Sequence, residues 1–142
     1  MIRKQQEKDL DSLMQIWLDT NQKAHYFIPK TYWSGQFAAV REALPKAEVF
    51  VYEADALGEK QGFIGLVGDY IAGLFVREGA QSKGIGKQLL EHVKETKQKL
   101  SLHVYQKNAG ALQFYQREGF FVQSEGQDEN TGEIEFLMEW SR

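Results

Sequence analysis

Hydrophobic positions change their period several times along the chain, and each change marks an element. Leu10, Leu13, Met14 and Trp17 recur at the three-and-four spacing that lines one stripe of a helix. Trp33, Phe37, Val40 and Leu44 repeat the pattern after Pro29, a residue suited to a helix's first turn. Two early helices are therefore predicted, preceded by a short strand from Ile2 to about Glu7. Residues 49–52, 62–67 and 71–76 then form β-rich runs broken by Gly and Asp, the pattern of an antiparallel meander. From Gly84 the helical period returns, with Leu89, Leu90 and Val93 inward and Lys87, Glu91, Lys94 and Lys97 outward. Residues 100–105 read as a strand whose Ser101, His103 and Tyr105 share one face, with Leu102 and Val104 on the other. Strand, loop, helix and strand in that order make a right-handed crossover and place the two strands parallel. A helix from about Ala109 to Glu118 stops at Gly119, and strands around 120–122 and 134–140 follow.

At 142 residues and 42% apolar content, the chain fits one domain spanning 1–142, with a core that needs no staple. The charge of -3, from 17 basic and 20 acidic residues, gives no general pull toward nucleic acid or an anionic membrane. The first residues lack the apolar stretch of a secretory signal, and no apolar run approaches the ~20 residues of a membrane span. The expectation is a soluble, cytoplasmic protein without nucleic-acid or membrane partners, monomeric or homodimeric. With no cysteine, a cysteine nucleophile, a thiolate metal site and an acyl-cysteine intermediate are excluded.

Candidate chemistry concentrates where the strand ending at Val76 turns into the helix beginning near Gly84. Gly84 and Gly86 let loop N–H groups and the positive end of the helix converge on one point, a natural anion site. A dinucleotide fingerprint would need a third glycine at Leu89 and an acidic ribose contact further on, and both are missing. A nucleotide P-loop would need glycine where Gln81 stands and Ser or Thr where Gln88 stands. What remains is Gln81-Ser82-Lys83-Gly84-Ile85-Gly86-Lys87, of the form Gln-x-x-Gly-x-Gly. Further on, residues 108–120 read Asn-Ala-Gly-Ala-Leu-Gln-Phe-Tyr-Gln-Arg-Glu-Gly-Phe.

In both segments, in order and in spacing, the sequence resembles the GNAT superfamily of N-acetyltransferases, whose motifs are Gln/Arg-x-x-Gly-x-Gly/Ala and Asn-x-x-Ala-x-x-Phe-Tyr-x-x-x-Gly-Phe. The Arg77-Glu78-Gly79-Ala80 stretch departs from the common family form, which often places proline after the strand. The resemblance implies an α+β, three-layer α/β architecture, the GNAT-like acyl-CoA N-acyltransferase fold. In it a mixed central sheet of about six to seven strands is flanked by about four helices, with a splayed parallel pair in the middle. It also implies transfer of acetyl from acetyl-CoA, as co-substrate and without a metal, directly to a primary amine. The acceptor is a small molecule, a protein lysine or a protein N-terminus. The alternative is an acetyl-CoA-binding sensor or interaction module that does not turn over.

By the same resemblance, the main chain of Leu74, Phe75 and Val76 and the loop Gln81, Ser82, Lys83, Gly84, Ile85, Gly86 and Lys87 hold acetyl-CoA. Tyr115 falls at the tyrosine that faces the coenzyme sulfur and serves as general acid in many members. His103 stands where several relatives carry a glutamate base, and a packed structural histidine is its other reading. Asn108 has two compatible readings, a contact to the coenzyme and an N-cap for the helix that follows. The aromatic connection between the first two helices borders the acceptor cleft in the family. It offers His25, Tyr26, Phe27 and Tyr32 as acceptor-side residues, with His25 a second candidate base. Trp33, Phe114 and Phe120 read as core, and Asp69, Glu133 and Glu135 as solvated strand charges that also suit a cationic acceptor.

Overall fold

A computed structural model describes residues 1–54 and 58–142. The chain runs β1 (Ile2–Lys4), α1 (Leu10–Ala24), α2 (Lys30–Ala43), β2 (Glu48–Glu53), β3 (Lys60–Val67), β4 (Tyr70–Val76), α3 (Ile85–Lys94), β5 (Lys99–Tyr105), α4 (Ala109–Arg117), β6 (Phe121–Gln127) and β7 (Ile134–Ser141). These strands form one sheet in the order β1-β2-β3-β4-β5-β7-β6. β1 through β4 pair antiparallel, β4 and β5 run parallel across the α3 crossover, and β7 inserts antiparallel between β5 and β6. Among the described residues, seven strands, four α-helices and a central parallel pair make the mixed-sheet architecture that the resemblance implied.

Strand alternation sorts the apolar residues into two layers. On one face Val49, Val51 and Phe63 pack with Leu13, Met14 and Trp17 of α1 and Trp33 of α2. On the other, Ile64, Leu66, Leu100, Leu102 and Met138 pack with Leu89, Leu90 and Val93 of α3 and Tyr115 of α4. Trp17 meets Trp33 edge-on, 6.0 Å between ring centroids. Burial of each large side chain is worth about 1.5–3 kcal/mol, so the helices are held by their apolar stripes rather than by propensity.

The first strand stops at Lys4, short of Glu7. The carboxylate of Asp9 accepts the Gln6 N–H at 2.7 Å and turns residues 7–9 into a short 3-10 helix. Asp9 is wholly buried and takes both guanidinium nitrogens of Arg3, at 2.8 and 2.9 Å, while Arg3 Nε reaches Glu53 at 2.5 Å. The Arg3 guanidinium outweighs burial and holds the Asp9 carboxyl below the usual carboxylate range. At the other edge, β6 extends to Gln127 because β7 pairs with it through the Gln127–Ile134 register. Every β6 side chain is exposed, which leaves no alternation in the sequence to mark its length.

Candidate active site

The β-sheet opens where β4 meets β5. Only Tyr70 and Ser101 are aligned as a parallel pair, so from Ile71 onward the two strands diverge and the β5-facing edge of β4 has no strand partner among the described residues. On its other edge β4 stays paired with β3 as far as Val76. The register slips between Gly65–Gly73 and Leu66–Ile71, which leaves Ala72 as the extra residue of a β-bulge and re-aims the strand. A Cβ on Gly73 beside it would lie 2.3 Å from the Phe75 ring, which would have to move. Leu74, Phe75 and Val76 are half-buried along this edge.

The loop that follows is closed by Gln81, whose Nε2 donates to the Val76 carbonyl at 2.9 Å. Residues 78–80 form a 3-10 turn that buries Ala80. Ser82 and Gly84 both have positive φ, 65° and 80°. Gly84 is the residue before α3 and no side chain caps that helix. Its first-turn N–H groups are thus directed into an exposed loop with Lys83 beside it, while Lys87 lies 4.0 Å from Glu91 and 3.9 Å from Glu118. Gly86 faces Phe114 of α4, where an added Cβ would be in ordinary contact at 3.5 Å. Free donors, a positive helix end and open space suit a diphosphate.

Tyr115 lies on the inner face of α4, packed edge-on against Phe114 at 5.1 Å and Phe120 at 5.5 Å, in the same core layer as Leu74 and Val76. Its hydroxyl has no hydrogen-bond partner among the described residues. Burial pushes its pKa well above the ordinary tyrosine value, so the hydroxyl keeps its proton throughout the physiological range. Asn108 is the N-cap of α4, its Oδ1 accepting the Ala111 N–H at 3.2 Å.

On the opposite face of the sheet, the connection between α1 and α2 builds an aromatic wall. The His25 ring stacks on Trp33, 5.1 Å apart and 26° from parallel, and meets the edges of Tyr105 at 5.1 Å and Phe27 at 5.7 Å. Burial lowers the His25 pKa to about 4, against a weaker upward pull from the Asn21 carbonyl. Phe27 and Tyr32 line a cavity of about 360 Å³ with Ile28, Pro29, Thr31, Asn130 and Thr131. Tyr26, 80% exposed, lies outside that lining. His103 is exposed on β5, its Nδ1 2.8 Å from the Tyr70 hydroxyl. Two residues on, the Tyr105 hydroxyl donates to Asp128 Oδ2 at 2.5 Å. Burial and the neighbouring Asp128 carboxylate both raise the Tyr105 pKa.

Residues 45–122, more than half of the chain, match the Acetyltransferase (GNAT) domain family. This chain belongs to the GNAT acetyltransferase family. Peptidyl-lysine N-acetyltransferase YiaC of Escherichia coli (strain K12) is 35% identical to it, over 99% of this chain and 96% of the relative. The solution structure of apo-form YjaB from Escherichia coli superposes with a TM-score of 0.87 at 25% identity, covering 99% of this chain and 96% of that one. The PaiA N-acetyltransferase of Thermoplasma acidophilum, solved in complex with coenzyme A, shares the fold at a TM-score of 0.81 and 20% identity, over 100% and 98% of the two chains. With the family comes its reaction class, acetyl-CoA-dependent N-acetyl transfer.

In this GNAT domain the residues singled out in sequence fall into two groups on opposite faces of the open strand pair. Leu74, Val76, the 81–87 loop and Tyr115 gather on the α3 and α4 side, and His25, Phe27, Tyr32, Phe75 and His103 lie on the α1 and α2 side, Phe75 against Phe63. Asn108 bridges the groups through a contact to His25 at 3.3 Å. Tyr70 and Asp128 are the polar residues that sequence reasoning missed. Tyr70 is placed by the parallel register with Ser101 and Asp128 by the β6–β7 pairing, and long-range register leaves no local mark in a sequence. No described helix is long and apolar enough to cross a membrane.

Proposed function

We propose that this GNAT enzyme acetylates lysine side chains of proteins or peptides, with Tyr115 as the hydrogen-bond donor to the leaving sulfur. The observation that carries the reading is Tyr115 itself, a buried tyrosine whose neutral hydroxyl has no hydrogen-bond partner among the described residues, on the helix behind the open edge of β4. Curated relatives named peptidyl-lysine N-acetyltransferases support the acceptor class. So does an acceptor side built from aromatic rings around a cavity open to solvent.

Acetyl-CoA, when bound, supplies an activated thioester. The α3 N-terminus with Ser82, Lys83 and Gly84 would hold its phosphates, and main-chain groups on the β5-facing edge of Leu74, Phe75 and Val76 would hold its pantetheine arm. A β4 N–H directed at the acetyl oxygen would stabilise developing negative charge, a contact whose loss costs roughly 2.7–4 kcal/mol in other enzymes. Even on reference values, proton transfer from tyrosine to a thiolate is uphill by about 2 kcal/mol, and burial of Tyr115 widens the gap. Tyr115 therefore acts as a hydrogen-bond donor to the sulfur. A lysine amine is under ~0.1% neutral at pH 7, so a group on the acceptor side must take its proton. We assign this to His103. With Nδ1–H donating to the Tyr70 oxygen, Nε2 is left free to accept.

Coenzyme A release measured with lysine peptides, lysine-free peptides bearing a free N-terminus, and small polyamines tests the acceptor. Turnover confined to the lysine peptides is expected. Turnover only on small amines would overturn the acceptor assignment, and acetyl-CoA binding without turnover on any amine would favour a sensor.

A further inference from the structure

His25 ends α1, its N–H donating to the Asn21 carbonyl at 3.0 Å, and its ring is enclosed by Trp33, Phe27 and Tyr105. Nδ1 is buried with no hydrogen-bond partner among the described residues, while Nε2 lies 3.3 Å from Asn108 Nδ2. Which proton lies between the two side chains follows from the helix cap. Asn108 has one amide oxygen, and that oxygen accepts the Ala111 N–H at the start of α4. The amide end facing His25 is therefore the NH2 group, which only donates. Nε2 must offer it a lone pair, and a proton on Nε2 would set two donors against each other.

We infer that His25 is a positioning residue. As the neutral Nδ1–H tautomer it accepts from Asn108, and so ties the acceptor-side connection to the helix that carries Tyr115. Tyr115 stands seven residues beyond Asn108, which at 3.6 residues per turn returns to within about 20° of the same helix face. A fixed N-cap thus fixes the rotation of the face that presents the Tyr115 hydroxyl. The same ring stacks on Trp33, whose neighbour Tyr32 lines the acceptor cavity. The two halves of the site are held in register by one hydrogen bond between side chains 83 residues apart. The catalytic part of this inference rests on the proposed role of Tyr115, whereas the tautomer does not.

The test is long-range ¹⁵N–¹H correlation NMR of the imidazoles at neutral pH, on the full chain and on Asn108→Asp. That substitution keeps an N-cap acceptor but replaces the donor facing His25 with a carboxylate. The wild type is expected to show His25 as Nδ1–H, against the preference of free histidine for Nε2–H, and Asn108→Asp is expected to move the proton to Nε2. An Nε2–H or cationic His25 in the wild type, or no change in the variant, would overturn the inference, whatever the enzyme acetylates. In turnover, His25→Phe and Asn108→Asp should each lower kcat about tenfold, with the acetyl-CoA KM little changed in His25→Phe. The double variant should fall no further than the worse single variant, and His25→Gln, whose Oε1 accepts from Asn108, should recover most of the rate. Multiplicative losses in the double variant would show that the two side chains act separately.

Discussion

Replacing His25 with Gln removes a titrating group that the fold holds neutral, and the effect on stability has a calculable pH dependence. Burial lowers the His25 pKa from 6.5 to about 4. In the unfolded chain the imidazole binds a proton near pH 6.5, while in the folded chain it does so only near 4. The unfolded state thus holds more protons between these values, and stability falls as pH falls. The contribution is present in full above about pH 6.5 and exhausted below about pH 4, and at about 1.4 kcal/mol per pH unit it totals about 3 kcal/mol. Between about pH 7.5 and about pH 5 the expected loss is about 2 kcal/mol. Urea unfolding of the wild type and of His25→Gln across that range measures it. Subtracting the variant's free energies cancels the titration of groups distant from the site. The difference between the two proteins should shrink by about 2 kcal/mol as the pH drops. A difference that stays flat would refute the claim that the packing of Trp33, Phe27 and Tyr105 keeps the ring neutral.

Three further outcomes follow from the same geometry. Arg3→Ala strips both guanidinium hydrogen bonds from the wholly buried Asp9 carboxylate, leaving it the Gln6 N–H and Lys60 Nζ at 3.7 Å, and should cost about 3 kcal/mol by urea unfolding. Gly119→Ala should cost about 1–2 kcal/mol in the same assay, because Gly119 has a φ of 93° and a Cβ there would lie 3.3 Å from Trp140 Cδ1. Gly84→Ala meets nothing closer than Gln88 Nε2 at 3.9 Å, so its cost is the strain of a φ of 80° in the loop before α3. Steady-state kinetics should show the acetyl-CoA KM raised about tenfold and kcat within about twofold of wild type.

Periodicity recovered the helices and most of the strands because the layers are simple: Leu89, Leu90 and Val93 face one core, and Leu13, Met14 and Trp17 the other. It could not mark β6, where every side chain is exposed and only pairing with β7 defines the strand. Nor could it show that residues 7–9 leave the first strand, a turn made by one buried carboxylate that reaches back to Gln6 and Arg3. The glycine loop at 81–87 was legible because glycine spacing is local. The connection between α1 and α2 was legible only as an aromatic segment. That His25 binds Asn108, that His103 pairs with Tyr70 and that Tyr105 holds Asp128 are consequences of strand order and register. These contacts join residues 23 to 83 positions apart, and no motif spacing encodes them.

The account depends most on the Tyr115 hydroxyl, and Tyr115→Phe removes that hydroxyl while preserving the ring packed between Phe114 and Phe120. Acetyl transfer to a lysine peptide should fall roughly 10²-fold in kcat, with acetyl-CoA affinity by calorimetry nearly unchanged. A variant that turns over at the wild-type rate would contradict the account and remove Tyr115 from the chemistry.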